Sequence, residues 1–98
     1  MTTGYQYNMS LTFEWDEVKA GDNYAKHGVT FELAKRAFED PFAIEFLDDR
    51  EDYGEERFVI IGLVDAHVLY VAYTERDEAI RIISARRATK HEQKAYFQ

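Results

Sequence analysis

The sequence predicts an α+β domain in which two N-terminal helices and one C-terminal helix pack on an antiparallel sheet of about five strands. Three observations carry this expectation. Apolar residues recur at helical spacing up to Phe38, Pro41 breaks that pattern, and from Phe42 to Ala85 the apolar period becomes 2. The connections between the later segments are short and polar, which makes those strands sequential antiparallel neighbours.

Taken in order, residues 1 to 10 show no period and are expected to be a disordered tail, with Met9 a possible start; residues 11 to 98 form the single domain. Leu11, Phe13 and Trp15 alternate with Thr12 and Glu14, as in a short strand with one buried face. Asp16 is placed to cap a helix that ends near His27, where Gly28 can adopt the left-handed conformation, and Val18, Tyr24 and Ala25 are its expected contacts. Thr30 heads a second helix with Phe31, Ala34 and Phe38 on one stripe, closed by Pro41 because proline cannot continue the hydrogen-bond ladder.

Phe42, Ile44 and Phe46 alternate with Ala43, Glu45 and Leu47 in a second strand, and a charged loop follows from Asp48 to Arg57. Phe58 to Val64, Val68 to Thr74 and Ile80 to Ala85 read as three more strands, joined by turns at Asp65 to His67 and Glu75 to Glu78. Thr89 with Glu92 three residues on is a capping-box signature, opening a last helix through Tyr96.

Composition narrows the function classes. A chain of 98 residues, 46% of them apolar, supports one core, and a domain this size buries roughly 65% of its unfolded surface. With no cysteine, a disulfide scaffold, a thiolate metal site and a cysteine nucleophile are excluded. The longest apolar run, Phe58 to Val64, falls far short of the roughly 20 residues of a membrane span. No leader pattern opens the chain, so the expectation is a cytoplasmic protein with no membrane association.

The formal net charge of −7 is the wrong sign for a protein that grips a polyanion, but the charge is segregated. Residues 79 to 98 carry Arg81, Arg86, Arg87, Lys90 and Lys94 against Glu92 alone, a net +4, while residues 1 to 78 hold seven basic and 18 acidic groups, a net −11. A basic island therefore ends an acidic body, as an ordinary solvated face or as a phosphate-binding one.

No phosphate-cradling glycine loop, dinucleotide fingerprint or HExxH pair is present, and His27, His67 and His91 fall on separate elements. No cofactor is expected. Lys26 and His27 sit at a helix C-terminus, where the dipole favours protonated histidine; they serve either as acid–base groups or simply as caps for the last carbonyls. Arg76 ends one strand. Strict alternation would put Arg81, Ile83, Ala85 and Arg87 on one face of the last strand and Ile82, Ser84 and Arg86 on the other. Guanidinium forks suit phosphate, and the competing reading is ion pairing with carboxylates such as Glu45, Asp48 or Asp49.

Several blocks together carry a resemblance. Asn23-Tyr24-Ala25-Lys26-His27-Gly28-Val29-Thr30-Phe31-Glu32 with Asp40-Pro41, Arg50 with Tyr53-Gly54-Glu55-Glu56-Arg57 and Ile61-Gly62, then Tyr73-Thr74-Glu75-Arg76 and Arg81-Ile82-Ile83-Ser84-Ala85-Arg86 with Glu92 and Tyr96, resemble the BrnT toxin family. The similarity runs from about Phe13 to Tyr96. It implies a RelE-like fold, metal-independent endoribonuclease activity that arrests translation and growth, and neutralisation by a BrnA-type antitoxin, through which alone the toxin would meet promoter DNA. One departure is visible: the family often has an Asp-Gly-Arg turn where this chain has Asp65-Ala66-His67, which alters the turn and removes an arginine that could touch phosphate.

Cleavage without a metal needs a base for the ribose 2′-hydroxyl, cations for the charge that builds on phosphate and an acid for the leaving 5′-oxygen. Arg76, Arg81 and Arg86 are the candidates for the phosphate role; His27, Lys26 and Tyr96, in that order, are the candidates for acid or base. Two other classes compete: a non-catalytic module that docks a basic partner on its acidic surface, and a direct DNA binder, for which no basic recognition helix is visible.

Overall fold

The computed structural model describes residues 11–98, so the expected N-terminal tail lies outside the described residues. The elements run β1 (Phe13–Glu14), α1 (Glu17–His27), α2 (Phe31–Ala34) passing into a 3-10 segment (Lys35–Glu39), β2 (Ile44–Asp48), β3 (Arg57–Val64), β4 (His67–Arg76), β5 (Ala79–Arg87) and α3 (Lys90–Phe97). The α+β class stands, with two corrections. The sheet, in the order β1-β5-β4-β3-β2, is mixed rather than antiparallel because β1 pairs parallel to β5. The second helix is α-helical for one turn and then tightens to 3-10 geometry.

Local chemistry explains the boundaries. Asp16 accepts hydrogen bonds from the amides of Val18 and Lys19, and Gly28 closes α1 at φ 71°. Thr30 caps α2 through Leu33 N. Thr89 and Glu92 form the reciprocal capping box of α3. Phe42 is not in β2: Asp40 turns the chain by accepting from Phe42 N, and Phe42 stays 76% exposed. Both later connections are two-residue hairpins. Asp77 and Glu78 take φ of 52° and 67°, as a type I′ turn requires. In the other, Asp65 takes the left-handed φ of 55°, which leaves Ala66 in an ordinary conformation and so tolerates the missing glycine.

α1, α2 and the 3-10 segment cover one face of the sheet, and α3 packs over part of the other. Phe31, Ala34 and Phe38 meet Ile60, Val71, Tyr73, Ile82 and Ala85, with Phe13 and Trp15 closing the side near β1. Gly62 is where this layer comes nearest, since a Cβ there would lie 2.8 Å from the Ala37 carbonyl oxygen. α1 does not bury Val18, Tyr24 and Ala25; Val18 and Tyr24 are exposed, and its contacts are Ala20 and Asn23. The Asn23 amide accepts from Ala85 N and donates to the carbonyls of Ala85 and Val29, tying the helix to the edge of β5 beyond the end of β1. Among the described residues no helix is long and apolar enough to cross a membrane.

Candidate functional site: an arginine-lined sheet face

The opposite face of the sheet is crossed by rows of side chains set by strand register. One row runs Ile44, Ile61, Tyr70, Arg86; the next runs Phe46, Val59, Ala72, Ser84; a third pairs Asp48 with Arg57 on one side and Thr74 with Arg81 on the other. Arg81 and Arg86 share this face because of an irregularity. Between Ala72 and Tyr73 the pairing with β5 slips, so Ile82 and Ser84 oppose consecutive residues and Ile83 is extra. The strict alternation expected from sequence is therefore wrong for β5: Ile80, Ile82 and Ala85 all enter the helix-side core, while Arg81, Ser84 and Arg86 look the other way. Arg81 and Arg86 lie two rows apart, roughly 13 Å along the strand. Between them lie the small side chains of Ala72 and Ser84.

Each guanidinium here is positioned by a carboxylate or an aromatic ring. Arg86 holds Glu92 through both nitrogens, at 2.8 and 3.0 Å, and stacks over Tyr70 with its guanidinium carbon 4.0 Å from the ring centre. That bidentate bond holds the Glu92 carboxyl below the usual carboxylate range and raises Arg86 further above its own. Arg81 reaches Glu14 at 3.1 Å and Arg76, at the rim, reaches Glu55 at 3.2 Å. The ion-pairing expectation thus holds for all three, with Glu92, Glu14 and Glu55 as partners in place of Glu45, Asp48 or Asp49.

Two residues that the sequence placed in a charged loop, without a role, join the face. Arg50 donates to the buried Asp48 at 2.8 and 2.9 Å, which holds the Asp48 carboxyl low, yet the Arg50 side chain is 70% exposed. It is close enough to Arg86 for the two charges to oppose each other. Arg57 lies over the Tyr53 ring at 4.1 Å, and its buried Nε has no hydrogen-bond partner among the described residues. Nor does the sequence mark Tyr70. The alternation of β4 puts it on this face, but nothing in the chain order says that Arg86 lies beside it.

The acid–base candidates separate. Tyr96 packs from α3 against the cluster of Val59, Ile61, Val68 and Ala88, on the arginine face. Its hydroxyl donates to Asp40; desolvation and that bond push the phenol up to about 12. Burial works against ionisation of Asp40, but the hydrogen bonds from Leu63 N, Tyr96 and Phe42 N outweigh it and hold the carboxyl below its ordinary range. Lys26 and His27 end α1, in the layer with the helix-side core, and neither is joined to an arginine by a hydrogen bond or ion pair. His67 stands at the start of β4 with Nε2 3.1 Å from Arg87. Among the described residues no three His, Asp or Glu side chains gather as a metal ion would need.

The outcome is an acidic domain that keeps a file of guanidiniums and tyrosines on a sheet face that α3 only partly covers, side chains whose chemistry suits phosphate. A search of the curated proteins finds no significant relative. Residues 15–92, which is 78 of the 98, match the family described as "Ribonuclease toxin, BrnT, of type II toxin-antitoxin system", and they include every arginine of that face and the Glu92 that anchors it. The chain belongs to the BrnT family of type II toxin–antitoxin ribonuclease toxins.

Proposed function

We propose that this toxin is a metal-independent endoribonuclease that binds RNA across the arginine-lined sheet face, acts in the cytoplasm to arrest translation and growth, and is neutralised by a BrnA-type antitoxin. The observation that carries the reading is the irregularity at Ile83, which turns Arg81 to the same face as Arg86. A phosphate lying over Ala72 and Ser84 would have a guanidinium on either side of it. The charge that builds on its oxygens as the ribose 2′-hydroxyl attacks would meet donors already held in place, which is where such contacts are worth most. The 2′-oxygen forms a new bond to phosphorus, its proton passes to a base, and the 5′-oxygen leaves with a proton from an acid.

Of the named candidates, Tyr96 shares the face with Arg81 and Arg86, and Arg76 stands at its rim. His27 and Lys26 would need RNA to wrap the sheet edge. Glu92 and Glu14 act as placeholders. Each orients an arginine while phosphate is absent and gives up part of the fork when it arrives.

The test is cleavage of an RNA oligonucleotide in excess EDTA. The proposal expects cut RNA; cutting that appears only on adding divalent metal overturns metal independence. One observation favours a second reading, in which the face binds a partner without cleaving RNA: Arg76, Arg81 and Arg86 are each already paired with a carboxylate. A folded chain that neither binds nor cuts RNA would support it.

A further inference from the structure

The edge of the sheet farthest from β1 is β2, and no described strand lies outside it. Edge strands are usually blunted by lysine, proline or a covering element, because their free amides and carbonyls invite another strand. β2, Ile44–Asp48, has no lysine or proline, no described strand or helix covers its outer edge, and its two charged residues, Glu45 and Asp48, are both acidic. Phe46 and Leu47 are 45% and 47% exposed and lie on opposite faces of the strand, and Phe42 stands just before it. The surroundings are strongly acidic. Residues 39 to 56 hold nine carboxylates against Arg50 alone, a local net of −8 that exceeds the charge of the whole chain. RNA is repelled from such an edge, whereas an apolar and cationic segment is drawn to it.

We infer that the outer edge of β2 is the docking site of the antitoxin, which adds an extended segment of alternating apolar and basic residues as a further strand. The inference rests on membership of a toxin–antitoxin family and not on where RNA is cut. Main-chain bonds to β2 give the segment its register, its apolar side chains cover Phe46 on one face, and its basic ones meet Glu45 and Asp49 on the other, their methylene stems lying along Leu47. The strand closes an edge that is otherwise open to aggregation.

The probe is a ten-residue peptide alternating valine and lysine, compared with the same peptide N-methylated at every second amide, which keeps the charge but cannot pair as a strand. Hydrogen exchange of the full chain should slow by about tenfold or more at the β2 amides with the first peptide and not with the second. Replacing Phe42→Lys and Leu47→Lys together should weaken binding by about tenfold or more. Val18→Lys, a similar change at an exposed position of α1, should leave it within about twofold. Equal binding of both peptides, protection confined to other elements or no protection at β2 overturns the proposal. So does slow β2 exchange in the free chain that speeds up on deleting residues 1 to 10, because the edge would then be taken by the chain's own N-terminus. RNA cleavage by the same preparations is scored separately: its absence with β2 protection intact removes the ribonuclease reading and leaves this one standing.

Discussion

Replacing Arg86 by alanine separates a phosphate-binding arginine from a structural one. Its side chain is 32% exposed and that of Glu92 20%, so the pair falls between an exposed bridge, worth under about 1 kcal/mol, and a buried one, whose breaking costs about 3 to 5 kcal/mol. The bidentate geometry and the stacking on Tyr70 place the stability loss of Arg86→Ala near 2 kcal/mol, or roughly 10 °C in Tm for a domain of this size. If the guanidinium also stabilises charge on phosphate, cleavage falls by about 10²- to 10³-fold, equivalent to roughly 3 to 4 kcal/mol of barrier. The partner variant sets the contrast. Glu92→Gln removes the ion pair but keeps an oxygen for Thr89 N, so it should melt earlier than the parent and still cleave, with the guanidinium released. Melting by circular dichroism and cleavage of a fluorogenic RNA are read on the same samples, well below the lower melting temperature. A folded Arg86→Ala protein that cleaves within about threefold of the parent refutes the reasoning.

Other predictions follow from the same contacts. Arg81→Ala should also slow cleavage by about 10²- to 10³-fold with about 1 kcal/mol lost in stability, since its pair with Glu14 is a single contact between partly exposed side chains; a large melting shift with full cleavage would make it a structural arginine instead. Asn23→Ala strands the buried amide and carbonyl of Ala85 and should cost about 3 kcal/mol by urea denaturation, while a loss below about 1 would mean water replaces the side chain. Gly62→Ala drives a Cβ into the Ala37 backbone and should cost roughly 1 to 3 kcal/mol by overpacking, where an unchanged Tm would show that the 3-10 segment can slide. The carboxyls of Asp48, Glu92 and Asp40 are all held low in the folded state. Their contribution is therefore complete above about pH 5 and lost as pH falls through the folded values, below about pH 4. An acid limb that stays as steep in an Asp48→Asn, Glu92→Gln double variant would contradict that assignment.

The sequence by itself determined whatever depends on neighbours along the chain. Asp16, Gly28, Thr30 and the Thr89–Glu92 box mark helix ends because capping bonds span two to four residues. Period 2 after Pro41 marked the strands, and the Lys26-His27-Gly28-Val29 and Arg81-to-Arg86 blocks pointed to the family that the match over residues 15–92 establishes. Only the tertiary structure decided what depends on register and on distant partners. The parallel pairing of β1 with β5 joins residues 67 apart in sequence, and one extra residue at Ile83 reverses which side chains of β5 face the core. Alternation counted along a single strand cannot register that slip, because it is defined against the partner strand. For the same reason Tyr70 met Arg86, Arg50 entered the arginine face, and Lys26 and His27 fell in the other layer only once the strands were paired and the helices packed.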